Sequence, residues 1–176
     1  MTPDYRKFYD LECYLFTEVG PRFAKTGDIY PADFYMIIIW KANRAKTRVR
    51  DRLNRHEGGF AATVKTMAAS LTASADPMRR LEVLMKEWHF YLPMATAILT
   101  VLYPTDFSVY DIRVCEQLGA FKKLAHRRFS DGLWNDYQKF LNAVNAAAPE
   151  GLSLRDKDRY LWGRSFYEGI KKDLRD

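Results

Sequence analysis

The chain has 176 residues, 48% of them hydrophobic and 28% charged, with 28 Lys and Arg against 22 Asp and Glu and a formal net charge of +6. That balance supports a core-forming globular domain and excludes a disordered chain. No apolar run approaches the roughly 20 residues of a membrane-spanning helix, and the start at Asp4, Tyr5, Phe8 and Asp10 is not ordered like a signal peptide, so a cytoplasmic protein without a membrane partner is expected.

Periodicity is helical almost throughout. A first helix from about Asp4 to Val19 carries Leu11, Cys13, Tyr14 and Leu15, and Gly20-Pro21 is expected to end it. Tyr30-Pro31-Ala32-Asp33 starts a second, which carries Phe34, Ile37, Ile38 and Trp40 before turning strongly basic. Met36 to Ile39 has the composition of a buried strand, but no turn chemistry or partner strand flanks it. From Lys41 to Arg55 the basic residues Lys41, Arg44, Lys46, Arg48, Arg50, Arg52 and Arg55 face a single acid, Asp51. Such a helix is either a solvated face or a phosphate-contacting one, and Arg44, Lys46 and Arg48 are the candidates for the second role.

After Gly58-Gly59 a third helix carries Phe60, Val64, Met67, Ala68 and Leu71. Asp76 caps the fourth, with Pro77 at its first position. The fifth, Pro93 to Leu102, is apolar on most faces and is expected at the centre. The sixth starts between Ser108 and Asp111 and ends at Gly119, the seventh spans about residues 130–147, and Ser153 with Asp156 caps the last. The expected product is a single all-α domain over 1–176, a two-lobed bundle of about eight helices: a central bundle over about 30–120 and a flanking lobe of about 1–22 with 130–176. Two lobes leave a cleft, where sites form. Cys13 and Cys115 are expected as core thiols, and no cofactor or metal site is indicated by residue spacing.

One stretch is recognisable. Leu92-Pro93, a small-residue Ala95-Thr96-Ala97-Ile98-Leu99-Thr100 helix, Tyr103-Pro104, then Val109-Tyr110-Asp111-Ile112-Arg113-Val114 and Leu118-Gly119 follow one another. This resembles the catalytic segment of the helix-hairpin-helix DNA glycosylase superfamily, which includes endonuclease III and the adenine glycosylases. The resemblance implies a glycosylase-like core, double-stranded and damaged or modified DNA as partner, and Asp111 as the essential aspartate. A looser likeness, through Ile39 to Arg44 and Leu154 to Trp162, is to small uncharacterised bacterial proteins.

The segment departs from that pattern in ways that narrow the chemistry. Phe90 to Met94 stand where the family has hairpin glycines, so its phosphate-gripping nest is not expected. Pro93 and Met94 replace the attacking lysine of the bifunctional members, which removes a lyase reaction by that route, and two scattered cysteines exclude an iron–sulfur cluster.

Asp111 at a helix start is held ionised by the local dipole and suits monofunctional cleavage of an N-glycosidic bond, or equally simple capping. Lys41, after Trp40, is expected either beside Asp111 as a second catalytic group or with its stem laid over Trp40. Arg113 is expected to leave the Asp111 face and meet a phosphate or an acid, and Trp40, Trp88, His89 and Tyr91 are the candidates for a base pocket, or core aromatics. A glycosylase, a non-catalytic nucleic-acid-binding module and a helical protein-interaction domain all remain open.

Overall fold

The computed structural model describes residues 4–174, which form an all-helical bundle with no strand among them. After a short turn at Tyr5–Phe8, α1 runs over residues 11–26, α2 over Pro31–Ala42, α3 over Lys46–Leu53, α4 over Gly59–Ala73 and α5 over residues 77–87. α6 follows at Leu92–Leu102, α7 at Ile112–Leu118, α8 at Asp131–Ala147 and α9 at Leu154–Asp173. No helix among the described residues is long and apolar enough to cross a membrane.

Three expected boundaries differ. The first helix begins at Leu11, capped by Asp10, rather than near Asp4, which caps the separate turn at Tyr5–Phe8. Gly20-Pro21 lies inside α1 rather than after it: the turn Leu15–Val19 is π-helical, and the Gly20 N–H reaches back to the Leu15 carbonyl. The widened turn moves the carbonyl that a proline ring would strike, so the helix passes through Pro21 and ends on left-handed Gly27. Gly20 is there for proximity, because a Cβ would lie 2.5 Å from the Val101 carbonyl oxygen of α6. Gly20→Ala is expected to destabilise the protein by about 1–3 kcal/mol in chemical denaturation, despite the better helix propensity of alanine. The second expected helix is divided: Ala42, at φ −155° and ψ 70°, breaks it, and a tight turn at Asn43–Ala45 leads into the basic α3. Cys115 is a buried thiol as expected, whereas Cys13 is exposed, on the outer side of α1.

α6 lies at the centre, with every residue from Ala95 to Leu102 buried. Ile37 and Ile38 of α2, Val19 of α1, Leu81 and Leu84 of α5 and Phe140 of α8 belong to the same continuous apolar cluster. The small residues Ala95, Thr96 and Ala97 let neighbouring backbone come close, and what comes close is the linker from α6 to α7.

Residues 107–110 of that linker form no regular secondary structure and are enclosed, with Phe107, Ser108 and Tyr110 at no more than 1% exposure. Without strand neighbours, the N–H groups of residues 108–110 are satisfied by side chains, and the Phe107 N–H by the Tyr103 carbonyl. The Tyr137 hydroxyl of α8 accepts from the Ser108 N–H at 3.1 Å and donates to the Ser108 carbonyl at 2.7 Å. Thr96 Oγ1 accepts from the Tyr110 N–H at 2.9 Å, and an Asp158 carboxylate oxygen from the Val109 N–H at 3.3 Å. Three helices thus fix the segment that delivers Asp111. Tyr137→Phe, which orphans both Ser108 groups, is expected to cost about 1–3 kcal/mol in urea unfolding without altering the helical circular dichroism.

Candidate functional site

Asp111 is the N-cap of α7: its Oδ1 accepts from the Arg113 N–H at 3.0 Å while its backbone is still extended. Its other oxygen lies 2.6 Å from Lys41 Nζ, which also approaches the Tyr110 carbonyl at 3.5 Å. The two side chains are 22% and 13% exposed, so the pair is largely withdrawn from water yet reachable. Burial pushes the Asp111 carboxyl up, but the Lys41 charge and hydrogen bond, with the Arg113 N–H and charge, outweigh it and hold Asp111 below the usual carboxylate range.

The pair sits in a cleft of about 520 Å³. Its walls come from Glu12 of α1, Trp40 and Lys41 of α2, Val109, Asp111, Ile112 and Arg113, and Arg155, Asp158, Arg159 and Trp162 of α9. The sequence brings these together by period: Arg155, Asp158, Arg159 and Trp162, at three- and four-residue spacing, turn toward one side of α9. Arg155 donates to Asp158 and to Glu12, each at 2.5 Å, and Arg159 to Glu12 at 2.6 Å. Burial pushes Glu12 up, while Arg155 and Arg159 overcome it and leave its carboxyl lowered. Arg155 also lies over the rings of Phe16 and Trp40, at 4.7 and 5.2 Å from their centroids.

The cleft therefore carries Lys41, Arg113, Arg155 and Arg159 against Glu12, Asp111 and Asp158. Arg113 makes no ion pair among the described residues; its guanidinium lies instead over Trp162 and Phe166, at 5.4 and 5.5 Å from the ring centroids. It stays beside Asp111 along the cleft wall rather than leaving that face.

Asp111, Lys41 and Trp40 are thus brought together as expected, Arg113 joins them where it was expected to turn away, and Trp88, His89 and Tyr91 are not among them. They form the turn between α5 and α6, away from the residues that line the cleft. Trp88 meets His56 edge to face, Tyr91 meets His126 in the same way, and His89 takes a left-handed backbone at φ 53°. Arg52 donates to the Trp88 carbonyl and covers the Phe90 ring, so one member of the basic window serves the fold. Arg44 and Arg48 are exposed on the turn and helix that follow Lys41, while Lys46 donates to Asn43 Oδ1 at 2.7 Å. Sequence reasoning missed Glu12, Arg155, Asp158, Arg159 and Trp162 as site residues, although the helical spacing of the last four on α9 was visible. No group of three or more His, Cys, Asp or Glu residues among the described residues forms a metal-binding cluster. Comparisons of the chain with family models, curated proteins and solved structures find no match.

Proposed function

We propose that the protein acts on nucleic acid as a monofunctional N-glycosylase, accepting an extrahelical nucleotide in the Asp111 cleft. The observation that carries this reading is an ionised, part-exposed carboxylate aimed into a cavity walled by aromatic rings and by more cations than acids. Breaking a C1′–N bond leaves positive charge on the sugar, which a fixed carboxylate stabilises. Water then adds to C1′, its proton passes to Asp111, and the base departs with the bonding electrons and gains a proton from solvent. Trp40 and Trp162 supply flat faces for the extruded base, and Arg113 with the exposed Arg44 and Arg48 supplies charge for the flanking phosphates.

Lys41 has a positioning role in this scheme. Its nitrogen already donates to Asp111 at 2.6 Å, so it stands against the carboxylate rather than against a sugar carbon. The same tight pair favours a second reading, a nucleic-acid-binding module whose Asp111 only caps α7 and neutralises Lys41.

Incubation with a panel of damaged and modified duplexes, followed by hot alkali to reveal abasic sites, separates the two. Strand breaks with the natural chain and none with Asp111→Asn support the enzyme. Binding without breaks on any substrate leaves the module, and no binding to duplex or single strand even at low salt removes both.

A further inference from the structure

The outer half of α9 leaves large apolar side chains uncovered. On a helical period Arg155, Arg159, Trp162, Phe166 and Ile170 share one face, while Asp158, Leu161 and Ser165 form the narrow buried edge that docks the helix. Trp162 and Phe166 are 41% and 45% exposed. Their rings are close to parallel, 14° apart with centroids at 5.5 Å, so two flat faces follow each other along the helix. The Arg113 guanidinium reaches over both rings. Trp162 and Arg113 also line the Asp111 cleft, so this ladder of rings begins where the cleft opens.

We propose that the Trp162–Phe166 ladder is a stacking platform for unpaired bases, and that the polymer led into the Asp111 cleft is single-stranded nucleic acid. This rests on the nucleic-acid reading above and specifies the form of its substrate. Two features favour a strand with open base faces. Serial aromatic rings bind any base through its π face, whereas a closed duplex offers only phosphates and groove edges. The Arg113 guanidinium, which lies over both rings and makes no ion pair among the described residues, supplies a cation beside the platform for the phosphate of a stacked nucleotide, and the chain's net charge of +6 attracts the strand as a whole.

A second copy of the chain is a poorer occupant. Rings of about 150–250 Å² each that are less than half exposed offer roughly 100 Å² apiece, well short of the about 800 Å² per partner of a standard protein interface.

The test is fluorescence anisotropy with the full chain and three labelled probes of equal length: an oligothymidylate, a duplex containing it, and a strand of abasic spacers with the same phosphates. The single strand is expected to bind more tightly than either of the others across a salt series. Phe166→Ala and Trp162→Ala are each expected to weaken oligothymidylate binding by about five- to hundredfold, with no change for the abasic strand. Both side chains are exposed, so unchanged thermal unfolding shows that each variant is folded.

Equal affinity for the abasic strand, or full affinity in both folded variants, overturns the platform. So does a shift from dimer to monomer in sedimentation of the variants with strand binding intact, which assigns the ladder to a second copy. The outcomes also separate this inference from the glycosylase reading. Strand binding as expected with no base release from any substrate sinks the enzyme and keeps the platform. Base release from duplex that Phe166→Ala leaves undiminished, without a strand preference, does the reverse.

Discussion

Asp111→Asn is expected to lower base release by about two to four orders of magnitude while leaving α7 in place. Asparagine caps a helix as well as aspartate does, so the Arg113 N–H keeps its acceptor and only the charge is lost. Losing the partner of a Lys41 side chain that is 13% exposed is expected to cost about 1–3 kcal/mol of stability, and Asp111→Ala about 1 kcal/mol more for the missing cap. Single-turnover kinetics beside urea titrations of both variants distinguish a chemical role from a capping one. Equal activity of natural chain and Asp111→Asn removes the mechanism.

Lys41→Met tests the other half of the pair. Lys41 holds the Asp111 carboxyl below its ordinary range, so the ionised form persists into acid and the rate is expected to fall only as pH drops through that lowered value. Without Lys41 the burial of Asp111 is opposed only by Arg113, and the acid limb of the rate profile is expected to move to higher pH. Stability follows the same sign. The contribution of Asp111 is present above the unfolded carboxylate pKa and is lost as pH falls through the lowered folded value, a loss that Lys41→Met shifts upward. An unmoved acid limb means that Asp111 is not the titrating group.

The helices were legible because each carries its own punctuation. Pro31, Asp76-Pro77, Ser130 and Ser153 sit where caps and first turns form, and the apolar residues of α4, α5 and α8 recur on one face. What failed needed partners distant in sequence. Gly20-Pro21 looks like a stop until Val101 supplies a reason for a glycine and a π turn makes room for the proline. The break at Ala42 has no glycine or proline beside it, and it lies one residue beyond a lysine tied to Asp111.

The candidate site shows the same division. Trp40, Lys41, Asp111 and Arg113 come from segments that were already singled out, and the fold joins them. Trp88, His89 and Tyr91, candidates for a base pocket, precede α6 in sequence, and α6 separates them from α7 and Asp111. Glu12 reaches the cleft only through Arg155 and Arg159, from the far end of the chain. Ion pairs across more than a hundred residues leave no periodic trace.

Asp158 joins the cleft to the core, and its replacement is expected to have the largest effect on stability. Its carboxylate is 3% exposed, takes a hydrogen bond from the Val109 N–H and sits 2.5 Å from Arg155. Asp158→Ala orphans a buried amide and removes one of two partners of a guanidinium that is itself 12% exposed, so a loss of about 3–5 kcal/mol is expected. Asp158→Asn retains an acceptor for Val109 and is expected to cost much less near pH 4. Burial pushes the Asp158 carboxyl up to about 6, against the pull of Arg155, Val109 and Lys41. A raised folded value means that the folded state binds the proton more tightly than the unfolded chain. The stability this confers is complete below the unfolded carboxylate pKa and declines as pH rises toward 6. Asparagine does not titrate, so urea unfolding at pH 4, 5, 6 and 7 is expected to show the natural chain losing ground to Asp158→Asn over that interval. Parallel curves mean that Arg155 keeps Asp158 ionised throughout, and the linker before Asp111 is then held by a permanent ion pair rather than by a neutral acid.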